Sequence, residues 1–341
     1  MHSPKNHSSW FFVLFILWLA IGSIVTFYLI KWDSWIQEKQ EIISNYSIRQ
    51  SWLKFINPLL ECELQDNNER QKYIPFEKVT IKRIQDEVMK THPDIHMGVY
   101  VRNLNNGPWF GINENEAYSP ASLMKVPVLM TYLRWAEIEP NLLNKKLFLD
   151  ETEHSIELHF PPSKILENKK EYTIKELLEE MIIYSDNRAQ QILVKNIPID
   201  LYIKINKDLG VTVAYDSTPE NYLSVKDVAT FFRILYNASY LNRWASEYAL
   251  ELLSKVEFNE WLRAWVPNNI AMSHKFWERG YYDENWKYVR QLHDCGIVYY
   301  EKYPYLACIV TKWVNFDKNA EVIQNTSKII FEEISRAFPE K

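Results

Sequence analysis

The sequence predicts an α+β fold (α/β in the broad sense), in which strands from both ends of the folded region form one antiparallel sheet and an all-helical segment packs beside it. Three observations carry that expectation. Extended runs occur at 97–102 and 109–112, helical periodicity fills most of 122–265, and extended character returns at 271–277, 294–300 and 306–313.

Each element has a local reason. A helix over 76–89 precedes the first extended run, and Asn105-Asn106-Gly107-Pro108 is turn chemistry that folds 97–102 onto 109–112 as a hairpin. Ser119-Pro120 reads as an N-cap followed by proline at the first helical position, which puts Ser122 in the first turn. Pro127 would then fall in the second turn, where a proline loses a backbone bond and kinks the helix. Helices at 173–182 and 224–235 show three- and four-residue apolar spacing, the latter opening on Ser224 and Asp227 as a capping box. A last helix runs over 318–337.

Composition narrows the function classes. With 341 residues, 47% hydrophobic and 24% charged, the chain has a core's worth of apolar surface for one large domain or two modest ones. The 39 basic and 44 acidic residues give a net charge of −5, and no basic run interleaves with aromatics, so nucleic acid is excluded as a partner. Only 7 glycines are present, which places them where backbone geometry needs them. Cys62, Cys295 and Cys308 make neither a disulfide framework nor a metal site. Cys295 and Cys308 fall symmetrically about a turn near Glu301-Lys302; two small buried hydrophobes is the preferred reading, and a cross-strand disulfide is the alternative.

Residues 10–30 carry no charge over 21 positions, long enough to span a bilayer and without the small-residue cleavage signal of a removable leader. They predict an uncleaved transmembrane signal anchor at 10–31, after a tail at 1–9, in a single-pass protein of the cell membrane. Lys5 before the span and Lys31, Lys39 and Arg49 after it do not set an outward orientation, so the extracytoplasmic assignment rests on the site chemistry. Trp35, Ile36, Ile42, Ile43, Tyr46 and Leu53 recur on one helical face up to Pro58, and a polar linker follows; 32–74 therefore read as a helical stalk and linker, and 75–339 as the folded domain.

Three short strings carry chemistry. Ser122-Leu123-Met124-Lys125 sets a hydroxyl and an amine one helical turn apart, near a helix N-terminus that favours developing negative charge. Ser185-Asp186-Asn187 lies between two helices, where a loop presents side chains to a cleft; the bland reading is a helix cap. His274-Lys275-Phe276-Trp277 places a cation on an extended run. No cofactor or metal is required.

In this order the strings resemble the class A β-lactamase and penicillin-binding protein superfamily over 76–339, as do the flanking Tyr118 to Pro127, Tyr184 to Leu193 and His293 to Val298. The resemblance implies a five-stranded antiparallel sheet flanked by helices plus an all-α subdomain, with the site between them. It implies Ser122 as acylated nucleophile, Lys125 as general base or proton shuttle and Ser185 as proton relay to the leaving nitrogen. Asn187 would bind the substrate amide, and Lys275 would supply charge near the substrate carboxylate. The oxyanion would lie between the N–H of Ser122 and a strand N–H just after Lys275.

Two departures bear on activity. The family's Lys-Thr-Gly or Lys-Ser-Gly is here Lys275-Phe276-Trp277, which removes a hydroxyl and sets a bulky ring on the oxyanion side of the cleft. Glu220 opens a Glu-x-x-Leu-Ser string at about the position of the family's deacylating Glu, but the helix starting at Ser224 leaves little room for the usual loop, so a pre-helix carboxylate is the preferred reading. The expected function is a β-lactamase-like serine hydrolase acting on β-lactams or related acyl amides. The alternatives are a peptidoglycan D,D-peptidase or slow penicillin-binding protein, and a non-catalytic cell-wall-binding protein.

Overall fold

The computed structural model describes Thr26 and residues 53–58, 74–119, 121–150, 160–161, 163–210 and 223–339. The expected span at 10–31, apart from Thr26, lies outside them, as do most of the expected stalk and Glu220. Among the described residues no helix is long and apolar enough to cross a membrane.

Strands β1 (His96–Asn103), β2 (Trp109–Ile112), β7 (Met272–Tyr282), β8 (Tyr288–Val298) and β9 (Tyr305–Trp313) form one antiparallel sheet in the order β2-β1-β9-β8-β7. The N-terminal hairpin therefore joins the C-terminal strands through β1 and β9, as the sequence pattern predicts. Two small ribbons stand apart, β3 (Ala117–Tyr118) with β6 (Leu223–Ser224) and β4 (Lys146–Leu149) with β5 (Lys170–Thr173).

Helices cover both faces, which is why β8 is almost continuously buried rather than alternating. Ahead of β1, α1 (Glu77–Arg83) runs into a π-helical turn at Ile84–Met89. It packs against α8 (Phe316–Ala337), which lies on β8 and β9. The opposite face receives α6 (Val225–Tyr236), opened by the expected Ser224/Asp227 capping box, while α7 (Arg243–Ser254) lies along β7.

The helical subdomain is built around α2 (Lys125–Ala136), flanked by α3 (Ile174–Ile183), α4 (Asn187–Asn196) and α5 (Ile199–Asp208). Lys125 to Leu133 are all buried, since a helix apolar on every side belongs at the centre of a core. Pro127 does not kink it. A 3-10 turn at Ala121–Met124 delays the α-helix to Lys125, so Pro127 falls in the first α turn, where its missing N–H has no partner to lose.

Two further readings change. Leu53–Pro58 are not helical; the backbone N–H groups of Lys54, Phe55 and Ile56 donate to the Glu247 carboxylate at 2.7–3.0 Å, and Leu53, Phe55 and Ile56 are buried. Binding of three successive N–H groups by one carboxylate offers this backbone more than a helix end would. Cys295 and Cys308 are directly opposed on β8 and β9 with Cα atoms 4.1 Å apart and form a disulfide, against the preferred reading of two free buried thiols.

Candidate active site

The site is assembled where the 3-10 turn, the end of α3 and the sheet edge meet. β7 is the outermost strand, so half of its backbone groups have no strand partner, and its inner end runs beside the Ala121–Met124 turn. A 3-10 turn has three residues per turn, which puts residues i and i+3 on one side. Ser122, half-buried, and Lys125, fully buried, are so related.

Lys125 reaches the loop after α3. Its Nζ donates to the Ser185 carbonyl oxygen at 2.7 Å, to Ser185 Oγ at 3.1 Å and to Asn187 Oδ1 at 2.8 Å, which uses all three protons of an ammonium. Burial drives its pKa well below the ordinary lysine value; the nearby Lys275 charge lowers it further, and Asp186 opposes both.

The loop is held by its backbone. After α3 the chain turns at Ser185 with φ +58°, a left-handed conformation that helix ends usually give to Gly. That turn points both the carbonyl and the hydroxyl of Ser185 at Lys125. Asp186 then caps α4, its Oδ1 accepting the N–H groups of Arg188 at 2.7 Å and Ala189 at 3.1 Å. The capping interpretation is therefore correct for Asp186, and the cap is what orients Ser185 and Asn187 on either side of it.

Lys275 enters from β7 and is fully buried. Its Nζ donates to the Ile182 carbonyl oxygen at 3.3 Å, one of the orphan carbonyls at the end of α3, where the helix dipole favours a cation. Two lysines thus meet the same helix end. Burial lowers the Lys275 pKa to about 7, with Asp294 acting the other way. Asp294 also accepts from Leu262 N at 3.0 Å and pairs with His274 Nδ1 at 2.9 Å.

Alternation along β7 starts Lys275 and Phe276 toward opposite faces, although the Lys275 Nζ comes to lie 4.8 Å over the Phe276 ring. The Phe276 ring stacks on Phe258, centroids 3.8 Å apart, and meets Trp261 edge-on, so it belongs to the core behind the sheet. Trp277 shares the face of Lys275 but is buried, its ring edge-to-face with His293 at 4.3 Å, and His293 in turn contacts Tyr118. Trp277 is therefore packed into the interior through His293 and Tyr118.

Sequence reasoning missed Arg279. It lies two residues beyond Trp277 on the same face, partly exposed, and Nη1 donates to Ser119 Oγ at 2.5 Å. Ser119 thus engages β7 rather than capping α2, whose N-cap, Met124, has no side-chain hydrogen bond. The signal was the alternation Lys275, Trp277, Arg279, Tyr281, hidden because the strand was expected to end at Trp277. Lys125, Ser185 and Asn187 are joined by hydrogen bonds, Lys275 meets the end of the same helix, and Ser122 lies on the 3-10 turn that leads into Lys125; Glu220 lies outside the described residues. Among the described residues no group of three or more His, Cys, Asp or Glu side chains could hold a metal ion.

Solved structures share this fold at low identity. PBP-A is 20% identical with a TM-score of 0.63, over 76% of this chain and 96% of that one, and a PBP-A variant has been solved as an acyl-enzyme with penicillin G. The β-lactamase of Sphaerobacter thermophilus DSM 20745 is 16% identical with a TM-score of 0.65, over 79% of this chain and all of that one. The class A β-lactamase of Mycobacterium abscessus is 18% identical with a TM-score of 0.63, over 74% and 99%. No curated protein matches the sequence. Residues 80–334, most of the chain, match the family Beta-lactamase2, and on that match the chain belongs to the beta-lactamase enzyme family.

Proposed function

We propose that this chain is a serine hydrolase that opens β-lactams or related acyl amides through an acyl-Ser122 intermediate. The observation that carries the reading is the buried Lys125 amine, held by Ser185 and Asn187 and lowered in pKa by burial and Lys275. A neutral amine keeps two donors for the Ser185 carbonyl and Asn187 Oδ1. Its lone pair is then free to take the Ser122 proton as Oγ attacks the acyl carbon.

As the C–N bond breaks, the proton passes from Lys125 through the Ser185 hydroxyl to the leaving nitrogen, and water later releases the acyl group. The N–H of Ser122 and one of β7 receive the developing oxyanion. Lys275, buried as it is, acts chiefly on the basicity of Lys125, and the partly exposed Arg279 is the cation a substrate carboxylate meets. The apolar run at 10–30 supports a membrane anchor, and the acyl-transfer chemistry of the site supports an extracytoplasmic setting.

A second reading, a peptidoglycan D,D-peptidase or slow penicillin-binding protein, draws support from Phe276, which takes the family's hydroxyl position into the rear core. Turnover of a chromogenic cephalosporin separates the two. Hydrolysis above that of Ser122→Ala supports the hydrolase, a stoichiometric burst without turnover supports the second reading, and no reaction refutes both, leaving wall binding without catalysis.

A further inference from the structure

The β7–β8 hairpin runs past the sheet. Pairing of β8 with β9 ends at Arg290↔Trp313, whereas β7 and β8 stay paired out to Tyr282↔Tyr288. The last rungs and the turn therefore form a two-stranded ribbon with no third strand beside it among the described residues. Yet this ribbon carries Trp286 at 83% exposure, Tyr282 at 64% and Tyr288 at 41%.

Those rings sit on a braced turn. Asp283 Oδ1 accepts the backbone N–H of Asn285 and of Lys287, both at 2.9 Å, and Asp283 N donates to the Lys287 carbonyl at 3.0 Å. Trp286 itself has φ +57°, a left-handed position that a bulged hairpin turn normally gives to Gly or Asn. The fold gains nothing from a tryptophan there. Beneath it, Gly280 makes room for Tyr288, because a Cβ on Gly280 would collide with the tyrosine hydroxyl. Tyr282 lies 5.1 Å from Tyr288 and 6.2 Å from Trp286, between ring centroids. The neighbouring cations are committed to the brace: Lys287 lies 4.3 Å over Trp313 and Arg290 5.3 Å over Tyr288.

We propose that this hairpin tip is a glycan-binding platform, on which Trp286 and Tyr282, braced by Tyr288, stack against the pyranose rings of an N-acetylated wall polysaccharide. A sugar ring offers an apolar C–H face with a polar rim, which fits rigid aromatic rings flanked by the exposed Glu284 and Asn285. Charge argues against an anionic lipid surface, since Asp283 and Glu284 stand at the tip and Lys287 and Arg290 are held by rings. The platform also continues the strand that forms the site. Tyr282 is seven residues beyond Lys275, about 23 Å along an extended strand and, by the odd step, on the opposite face of β7, so the tip is a surface separate from the Ser122 site. Only the choice of a wall glycan rests on the peptidoglycan reading above.

The test is co-sedimentation of the full chain with insoluble wall glycan stripped of its peptides, which removes any acyl substrate for Ser122. Wild type and Ser122→Ala should bind alike, and Trp286→Gly should bind about tenfold more weakly, as expected on losing one exposed aromatic anchor. Because glycine relieves the left-handed strain, Trp286→Gly should melt no lower than wild type and form a penicillin adduct at the same rate. Equal binding by Trp286→Gly, or none by wild type, overturns the proposal. So does binding to phosphatidylcholine/phosphatidylglycerol vesicles that Trp286→Gly abolishes, which would assign the tip to a membrane. Failure of Ser122 acylation with glycan binding intact would sink the catalytic reading alone.

Discussion

The helical side of the site and the strand beside it hold their cations by opposite means. Around Lys125 every donor meets a side chain or carbonyl of the 185–187 loop, so the amine is buried, satisfied and surrounded by exchangeable hydroxyl and amide groups. Lys275 has one long bond to the end of α3, and the residues around it are rings: Phe276 on Phe258 behind, Trp277 on His293 below. The first arrangement suits proton movement. The second suits a rigid wall, in which the altered motif keeps its cation buried at the end of α3 among packed rings.

The largest break in this comparison is Lys125→Ala. It strips the partners from Ser185 and Asn187 and removes the base, so the rate of penicillin acylation should fall by about a thousandfold, with stopped-flow or mass-resolved kinetics as the measure. Restoring the family's hydroxyl with Phe276→Thr should fail to raise activity, because position 276 faces the rear core. It should instead cost about 3 kcal/mol, seen as a lower melting temperature, since a stacked aromatic is lost. A gain of activity without loss of stability would refute the placement of Phe276.

Lys275 gives a pH test. Its folded pKa is about 7 against an ordinary 10.5, so between those values the unfolded chain keeps a proton that the folded chain has released. Stability attributable to this group therefore rises with pH from about 7 to 10.5 and is at its lowest below 7. Lys275→Met should flatten that rise in urea titrations at several pH values and be at least as stable as wild type at pH 6. The smallest effect is expected of Ser185→Gly. Relief of the left-handed strain offsets the greater freedom of glycine in the unfolded chain, leaving stability within about 1 kcal/mol while acylation slows.

The same contrast explains what was legible in the sequence. The Ser224 capping box and the Asn105 to Pro108 turn are local rules, and each produced its expected geometry, whereas Ser122 precedes Lys125 on a 3-10 turn in place of the expected capped first helical turn. Asp186 could be read as a cap because Asx capping is local too, but nothing local announces that Ser185 adopts a glycine's conformation. The strand side depends on contacts distant in sequence. That Phe276 faces Phe258 and Trp277 faces His293 follows from which strand lies beside β7. The aromatic and charged mixture of 278–290 concealed that β7 runs on to Tyr282 and that β8 starts at Tyr288. Leu53–Pro58 kept a helical pattern of apolar residues and lost the helix to Glu247, a partner almost two hundred residues away.

The central claim is that Ser122 is a working nucleophile served by Lys125. Intact-mass spectrometry of the full chain after exposure to penicillin, with peptide mapping, tests it most directly. The account predicts a single added penicilloyl group located on Ser122 and absent from Ser122→Ala. No adduct on the parent protein, or an adduct that persists in Ser122→Ala, would contradict it.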